Sequence, residues 1–180
     1  MQLQLLSDTP PVSVYYDCSN DWLFVNWHGD LSLPLVQAGC LAIARCFLER
    51  SYPRILNNNA DVTSMDVSAP DWLAEHFLPH LGLAGIEYLG WVCAPIPKVK
   101  YLTSQAVRQL RSPVVAIFDD VDEAFSWLQH TRFAHLEAAA TADSAFERQA
   151  ELASRVAELS ERLRHYRKVA RLSALSQRRA

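Results

Sequence analysis

Glycine is scarce in this chain. Its 180 residues hold five glycines, Gly29, Gly39, Gly82, Gly85 and Gly90, and no two of them are spaced as GxGxxG or GxxxxGKS/T. Those cradles need glycine so that backbone N–H groups can close around phosphate, so nucleotide binding of that kind is excluded. Cysteine is sparse too. Cys18, Cys40, Cys46 and Cys93 form no CxxC pair and do not cluster with histidines, which argues against a zinc site or a disulfide framework. No stretch approaches the roughly 18 apolar residues of a membrane span. Met1 to Pro10 lacks the basic start and long apolar core of a signal peptide. These features predict a cytoplasmic protein with reduced, mostly buried thiols.

Half of the residues are apolar and 21% are charged, a globular composition that suits one domain plus an appendage. The net charge of −3 conceals a division. Residues 1–136 carry 8 basic and 14 acidic side chains, and residues 137–180 carry 9 and 6. From Arg162 onward there are 7 basic side chains and no acidic one. A basic tip of this kind, with Arg162, Arg164, Arg167, Lys168, Arg171, Arg178 and Arg179, can meet a nucleic acid or an anionic membrane surface. It also suits the C-terminal dipole of a helix.

Along the chain, residues 1–11 read as a loose lead-in. Val12–Asp17 and Trp22–Trp27 are rich in β-formers and flank the turn residues Asn20-Asp21, so they predict a β-hairpin. Residues 34–50 place Val36, Cys40, Ile43 and Phe47 on one helical stripe. Arg54–Asn57 reads as a short strand, and Pro70 opens a helix through Leu81 that Gly82 and Gly85 stop. Residues 86–93 read as a strand, and Val99, Leu102, Ala106 and Leu110 mark a helix. Val114–Phe118 is wholly apolar and reads as a buried strand. Asp120 followed by Glu123 resembles a capping box that opens the helix through Leu128. The order ββαβαβαβα predicts an α/β fold with a mixed, mainly parallel sheet and an N-terminal hairpin, spanning residues 12–133.

Beyond His135 the chain holds neither glycine nor proline. Leu152, Val156, Leu159, Leu163 and Tyr166 continue a 4-3-4-3 spacing that begins in alanines, so residues 137–175 predict a coiled-coil helix with a basic end. So narrow a seam needs a cover. A second copy, giving a homodimer, is the first expectation; another protein or the chain's own body are the alternatives.

Asn57, Asn58, Asn59, Asp61, Thr63, Ser64 and Asp66 form a polar stretch where a loop is expected beyond the C-terminal end of a strand, the usual ligand position in open α/β sheets. The loop would face a partner protein or a polar ligand, and the same residues also suit turns and helix caps. His76 and His80 have the spacing of a shared metal face but lack a third ligand, so no metal is expected. Asp119-Asp120 is an acidic pair that helix capping explains. Five tryptophans, Trp22, Trp27, Trp72, Trp91 and Trp127, suit core packing. Trp27 and Trp91 could instead line an apolar pocket.

The hairpin, the alternating elements, Phe24-Val25-Asn26-Trp27-His28-Gly29-Asp30, Ile55-Leu56-Asn57-Asn58-Asn59 and the ending Phe118-Asp119-Asp120-x-x-Glu123-Ala124-x-x-Trp127-Leu128 together resemble STAS-like domains. These are the STAS/SEC14 relatives of anti-sigma-factor antagonists, and the likeness covers about residues 12–130. It implies a small regulatory domain that binds other proteins and, in some members, a nucleotide or lipid. In the antagonist branch a serine near the second helix is phosphorylated. Ser64 and Ser68 stand near that place, though the sequence context of that branch is absent.

Taken together, the sequence predicts a non-catalytic regulatory or protein-interaction module without a cofactor, self-associating through its C-terminal helix and meeting an unknown protein partner. A small-ligand or lipid-binding module with a pocket between sheet and helices is the second reading. A basic-tail binder of nucleic acid or membrane surface is the third.

Overall fold

The first residues are more ordered than a lead-in. In a computed structural model, Leu3–Thr9 forms strand β1, paired antiparallel with β2 (Val12–Asp17). Most β1 side chains are exposed, so ladder hydrogen bonds place this strand, and no apolar pattern announces it. The structure describes residues 1–108, 110–131 and 142–177.

The expected hairpin forms between β2 and β3 (Trp22–Leu31), in register from Val12↔Trp27 to Asp17↔Trp22. Its turn is held by Asp17, whose carboxylate accepts from the Ser19 backbone N–H at 3.0 Å and from the Asn20 amide at 2.7 Å. Then follow α1 (Leu33–Glu49), β4 (Arg54–Met65), α2 (Ala69–Trp72), a π-helical turn (Leu73–Phe77), α3 (Pro79–Leu83), β5 (Tyr88–Val92), α4 (Pro97–Val107), β6 (Val114–Phe118), α5 (Val121–His130) and α6 (Ala142–Gln177). The six strands lie in sequence order, and β3 to β6 run parallel. The architecture is therefore a mixed α/β sheet with an antiparallel N-terminal part and a long C-terminal helix, with one strand more than the sequence suggests.

This order fixes where the helices go. Each parallel strand is added on the same side of its predecessor, so right-handed crossovers put α1, α2–α3 and α4 on one face. That face carries the main apolar cluster. Helix α5 follows the last strand and closes the other face, where its Ala124 and Leu128 cluster with Trp22, Leu56 and Val92. Asp120 caps α5, its carboxylate accepting from the backbone N–H of Asp122 at 2.8 Å and of Glu123 at 3.1 Å.

Two strand expectations need correction. β6 is an edge strand, with Val114 56% and Ile117 41% exposed, so its continuous apolar run does not mean burial on both faces. β4 extends to Met65 and absorbs most of the predicted loop. Its pairing with β3 shifts register between Asn26 and His28 and again between Gly29 and Asp30. Each shift inserts an extra residue in β4. From Asn59 on, buried positions come at every third residue, Asn59, Val62 and Met65. Bulges break the two-residue alternation by which a strand is recognised.

The seam of the C-terminal helix is covered within the chain. α6 packs against α1 and α3. Leu152 is 1% exposed, and Val156, Leu159 and Leu163 are buried too. Leu152 and Val156 belong to the same apolar cluster as the sheet and α1. Burying a leucine or valine side chain contributes about 1.5–3 kcal/mol, so the stripe that suggested a homodimer is spent on the chain's own body. The Tyr166 side chain, the start of the predicted helix at 137, the domain end at 133, and Arg178 and Arg179 lie outside the described residues.

Candidate functional site

The parallel strands follow one another without reversal, so the sheet has no switch point of the kind that opens a ligand crevice at strand ends. The predicted surface loop is accordingly not assembled as one site. Asn57 and Asn59 turn inward and are buried, whereas Asp61, Thr63, Ser64 and Asp66 are not. Asn58 points to the opposite face, where its amide donates to Asn26 Oδ1 at 2.8 Å.

The inward asparagines meet the two tryptophans singled out in the sequence. Trp27 on β3 donates its indole N–H to Asn57 Oδ1 at 3.0 Å. The Asn59 amide lies between Asn57 and Trp91. In one orientation its oxygen accepts from Asn57 Nδ2 at 3.0 Å, and in the other from Trp91 Nε1 at 3.2 Å. Strand geometry explains the alignment: Asn57 is paired with Val25 and with Trp91 on the neighbouring strands, so these side chains share one face.

This polar strip borders an otherwise apolar cavity of about 40 Å³. Val25, Ile55 and Leu89 form its floor on the sheet. Val36, Cys40 and Ile43 of α1 and Leu73, Phe77, Leu78 and Leu81 of the π-helical turn and α3 form its roof. Two indole N–H groups and two amide NH₂ groups face two amide oxygens. The strip is richer in donors than in acceptors, so it suits a guest that brings an oxygen acceptor and is otherwise apolar.

The buried thiols are held protonated. Burial pushes the Cys40 thiol well up, and it pushes Cys46 up to about 11, with the nearby Glu49 carboxylate adding to the effect. Cys93 is also raised, first by burial. Such thiols are poor nucleophiles. Among the described residues no group of three His, Cys, Asp or Glu side chains could hold a metal ion.

His76 and His80 border a different space. This polar cleft of about 230 Å³ lies between the π-helical turn and α6, lined also by Trp72, Glu75, Arg155, Glu158, Leu159, Arg162 and Leu163. His80 Nδ1 lies 3.2 Å from the Phe77 carbonyl oxygen. Its pKa is lowered, mainly by burial and further by the Arg155 and His76 charges, while the Phe77 carbonyl and Glu158 act the other way. Ser68 stands just before α2 without a side-chain capping bond, and its hydroxyl donates to Asp66 at 2.7 Å. That bond and the Ser68 backbone N–H hold the Asp66 carboxyl below its usual range. Asp119 is ion-paired with Lys100. Of the basic tip, Arg162 pairs with Glu158 and Arg164 with Glu161. Among the described residues no helix is long and apolar enough to cross a membrane.

The buried role of Asn57 and Asn59 is what sequence reasoning missed. The signal was present in the register, since each stands two residues from the other on a strand flanked by tryptophan-bearing strands.

No family model matches the chain, and no curated protein matches it. Among solved structures, it is similar to an uncharacterized protein from the DUF3478 family with a SpoIIAA-like fold, from Shewanella loihica PV-4. The identity is 14% and the TM-score 0.48, over 69% of this chain and 99% of that one. It is also similar to the anti-sigma factor antagonist SpoIIAA in its unphosphorylated form, at 16% identity and a TM-score of 0.44, over 73% of this chain and 99% of that one.

Proposed function

We propose that this chain is a non-catalytic regulatory module that takes a small, mainly apolar molecule with one oxygen acceptor into the cavity between sheet and helices. The observation that carries this reading is the donor-rich Asn57–Asn59 strip between Trp27 and Trp91 in an otherwise apolar enclosure. A guest that offers an acceptor to these donors and buries its apolar part against the lining gains specificity as well as burial. A reducing cytoplasmic setting suits the free, buried Cys40, Cys46 and Cys93.

The interaction role belongs to the same scheme. Self-association through Leu152, Val156, Leu159 and Leu163 requires α6 to leave the body, because those side chains are covered there. A protein partner that competes for the stripe faces the same condition.

The test uses tetrahydrofuran and cyclopentane, rings of similar size that differ by one acceptor oxygen. Tetrahydrofuran raises the melting temperature of the full chain, and cyclopentane raises it less. Equal shifts for the two rings, or none for either, rule this reading out.

A further inference from the structure

We propose that α6 is a strap that holds the helical roof shut over the Trp27–Trp91 cavity, so that its release admits the ligand. The inference rests on the cavity being the binding site, and it concerns how that site is controlled.

Size poses the problem. The cavity measures about 40 Å³, whereas pockets for ordinary small ligands run to about 300–1,000 Å³. A guest larger than a few atoms needs the enclosure to grow. The sheet floor is a continuous hydrogen-bonded ladder from β3 to β5, so growth falls to the roof. That roof consists of two separate pieces, α1 and the segment of the π-helical turn with α3.

α6 ties the two pieces together. It packs against α1 and against α3, and Gln149 Nε2 donates to the Leu48 carbonyl of α1 at 3.2 Å. While it is docked, neither piece can swing away from the other without breaking that contact.

The tie is uneven along its length. Leu152 and Val156 join the main apolar cluster. One to two turns further on, Leu159 and Leu163 border the polar cleft of about 230 Å³. Polar space of that size takes solvent, so this end of the strap rests on a narrower apolar contact. The piece beneath it holds the π-helical turn, closed by Leu78 N–H donating to the Leu73 carbonyl at 2.9 Å. Leu73 and Phe77, at the two ends of that turn, both line the cavity. Release from the cleft end would therefore free the roof piece that carries Leu73, Phe77, Leu78 and Leu81, the larger share of the roof lining.

Cys40 supplies the readout. It lies in the roof, lines the cavity, and is fully buried and free. The full chain is treated with methyl methanethiosulfonate, and each cysteine is followed by peptide mass. Cys93, buried away from the cavity lining, reports global unfolding. Leu159→Glu loosens the cleft end of the strap, and Val156→Glu forces the helix off from its buried part. Labelling through a local opening scales with the open population, so Cys40 should react at least about tenfold faster in these variants while Cys93 does not. No acceleration of Cys40 in either variant, or Cys40 and Cys93 accelerating together, overturns the strap.

The same chains titrated with tetrahydrofuran separate the two ideas. Faster Cys40 labelling without tetrahydrofuran binding in any chain leaves the strap standing and removes the ligand reading. Tetrahydrofuran binding with unchanged Cys40 labelling does the reverse.

Discussion

The Trp27 ring lies where a side chain on Gly39 would have to be. A β-carbon built at Gly39 of α1 would sit 2.5 Å from the Trp27 ring and 3.0 Å from Val12. Glycine in the middle of a helix costs about 1 kcal/mol relative to alanine, so α1 accepts a weaker helix in exchange for this approach. The approach places the Trp27 indole N–H on Asn57. Gly39→Ala therefore destabilises despite its better propensity. Overpacking costs about 1–3 kcal/mol, to be read from the urea midpoint, and the Trp27 indole resonance should shift.

Asn57→Leu leaves the Trp27 N–H buried without its acceptor. The expected loss is about 1–3 kcal/mol. Trp27→Phe in the same chain removes the orphaned donor and should recover part of that loss. A double-mutant cycle on urea unfolding measures the coupling. Simple additivity would mean the Trp27–Asn57 bond has no energetic weight.

Docking of α6 predicts a gradient along one stripe. Leu152→Ala, deep in the apolar cluster, should cost about 2–5 kcal/mol. Leu163→Ala, which borders the polar cleft, should cost less. Since the cover is the chain's own body, the unfolding midpoint should not depend on protein concentration. A midpoint that rises with concentration would restore the homodimer as the stripe's cover.

How much of this was legible in the sequence depends on the kind of signal. The Val12–Trp27 hairpin was legible because both strands are rich in β-formers and a turn separates them. β1 was not, because an edge strand with exposed side chains is placed by backbone pairing alone. Asn59, Val62 and Met65 follow a spacing of three that bulges impose, so they read as a polar loop. The 4-3-4-3 spacing of Leu152 to Leu163 correctly marks a buried stripe, yet it looks the same whether a second copy or the body covers it. Trp27 and Trp91 were recognisable as possible pocket residues; only the register of three strands shows that asparagines stand between them.

The half-buried His80 gives the cleft a pH dependence. Its pKa in the folded chain is lowered, first by burial, with Arg155 and His76 lowering it further and the Phe77 carbonyl and Glu158 opposing them. An unfolded histidine titrates near about 6.5, so the unfolded chain takes up the proton first as pH falls. The contribution of His80 is thus fully present above that value and is lost as pH drops from there through the folded pKa. His80→Gln should flatten the slope of urea midpoint against pH below about 6.5. An unchanged slope would show that another group sets it.

The central claim is that Trp27 and Trp91 face a ligand site. It is tested most directly by the indole N–H resonances of the full chain, labelled with nitrogen-15 and titrated with tetrahydrofuran. The account predicts that the Trp27 and Trp91 signals move together and saturate, while those of Trp22, Trp72 and Trp127 stay. Movement of Trp72 or Trp127 alone, or of none, would contradict it.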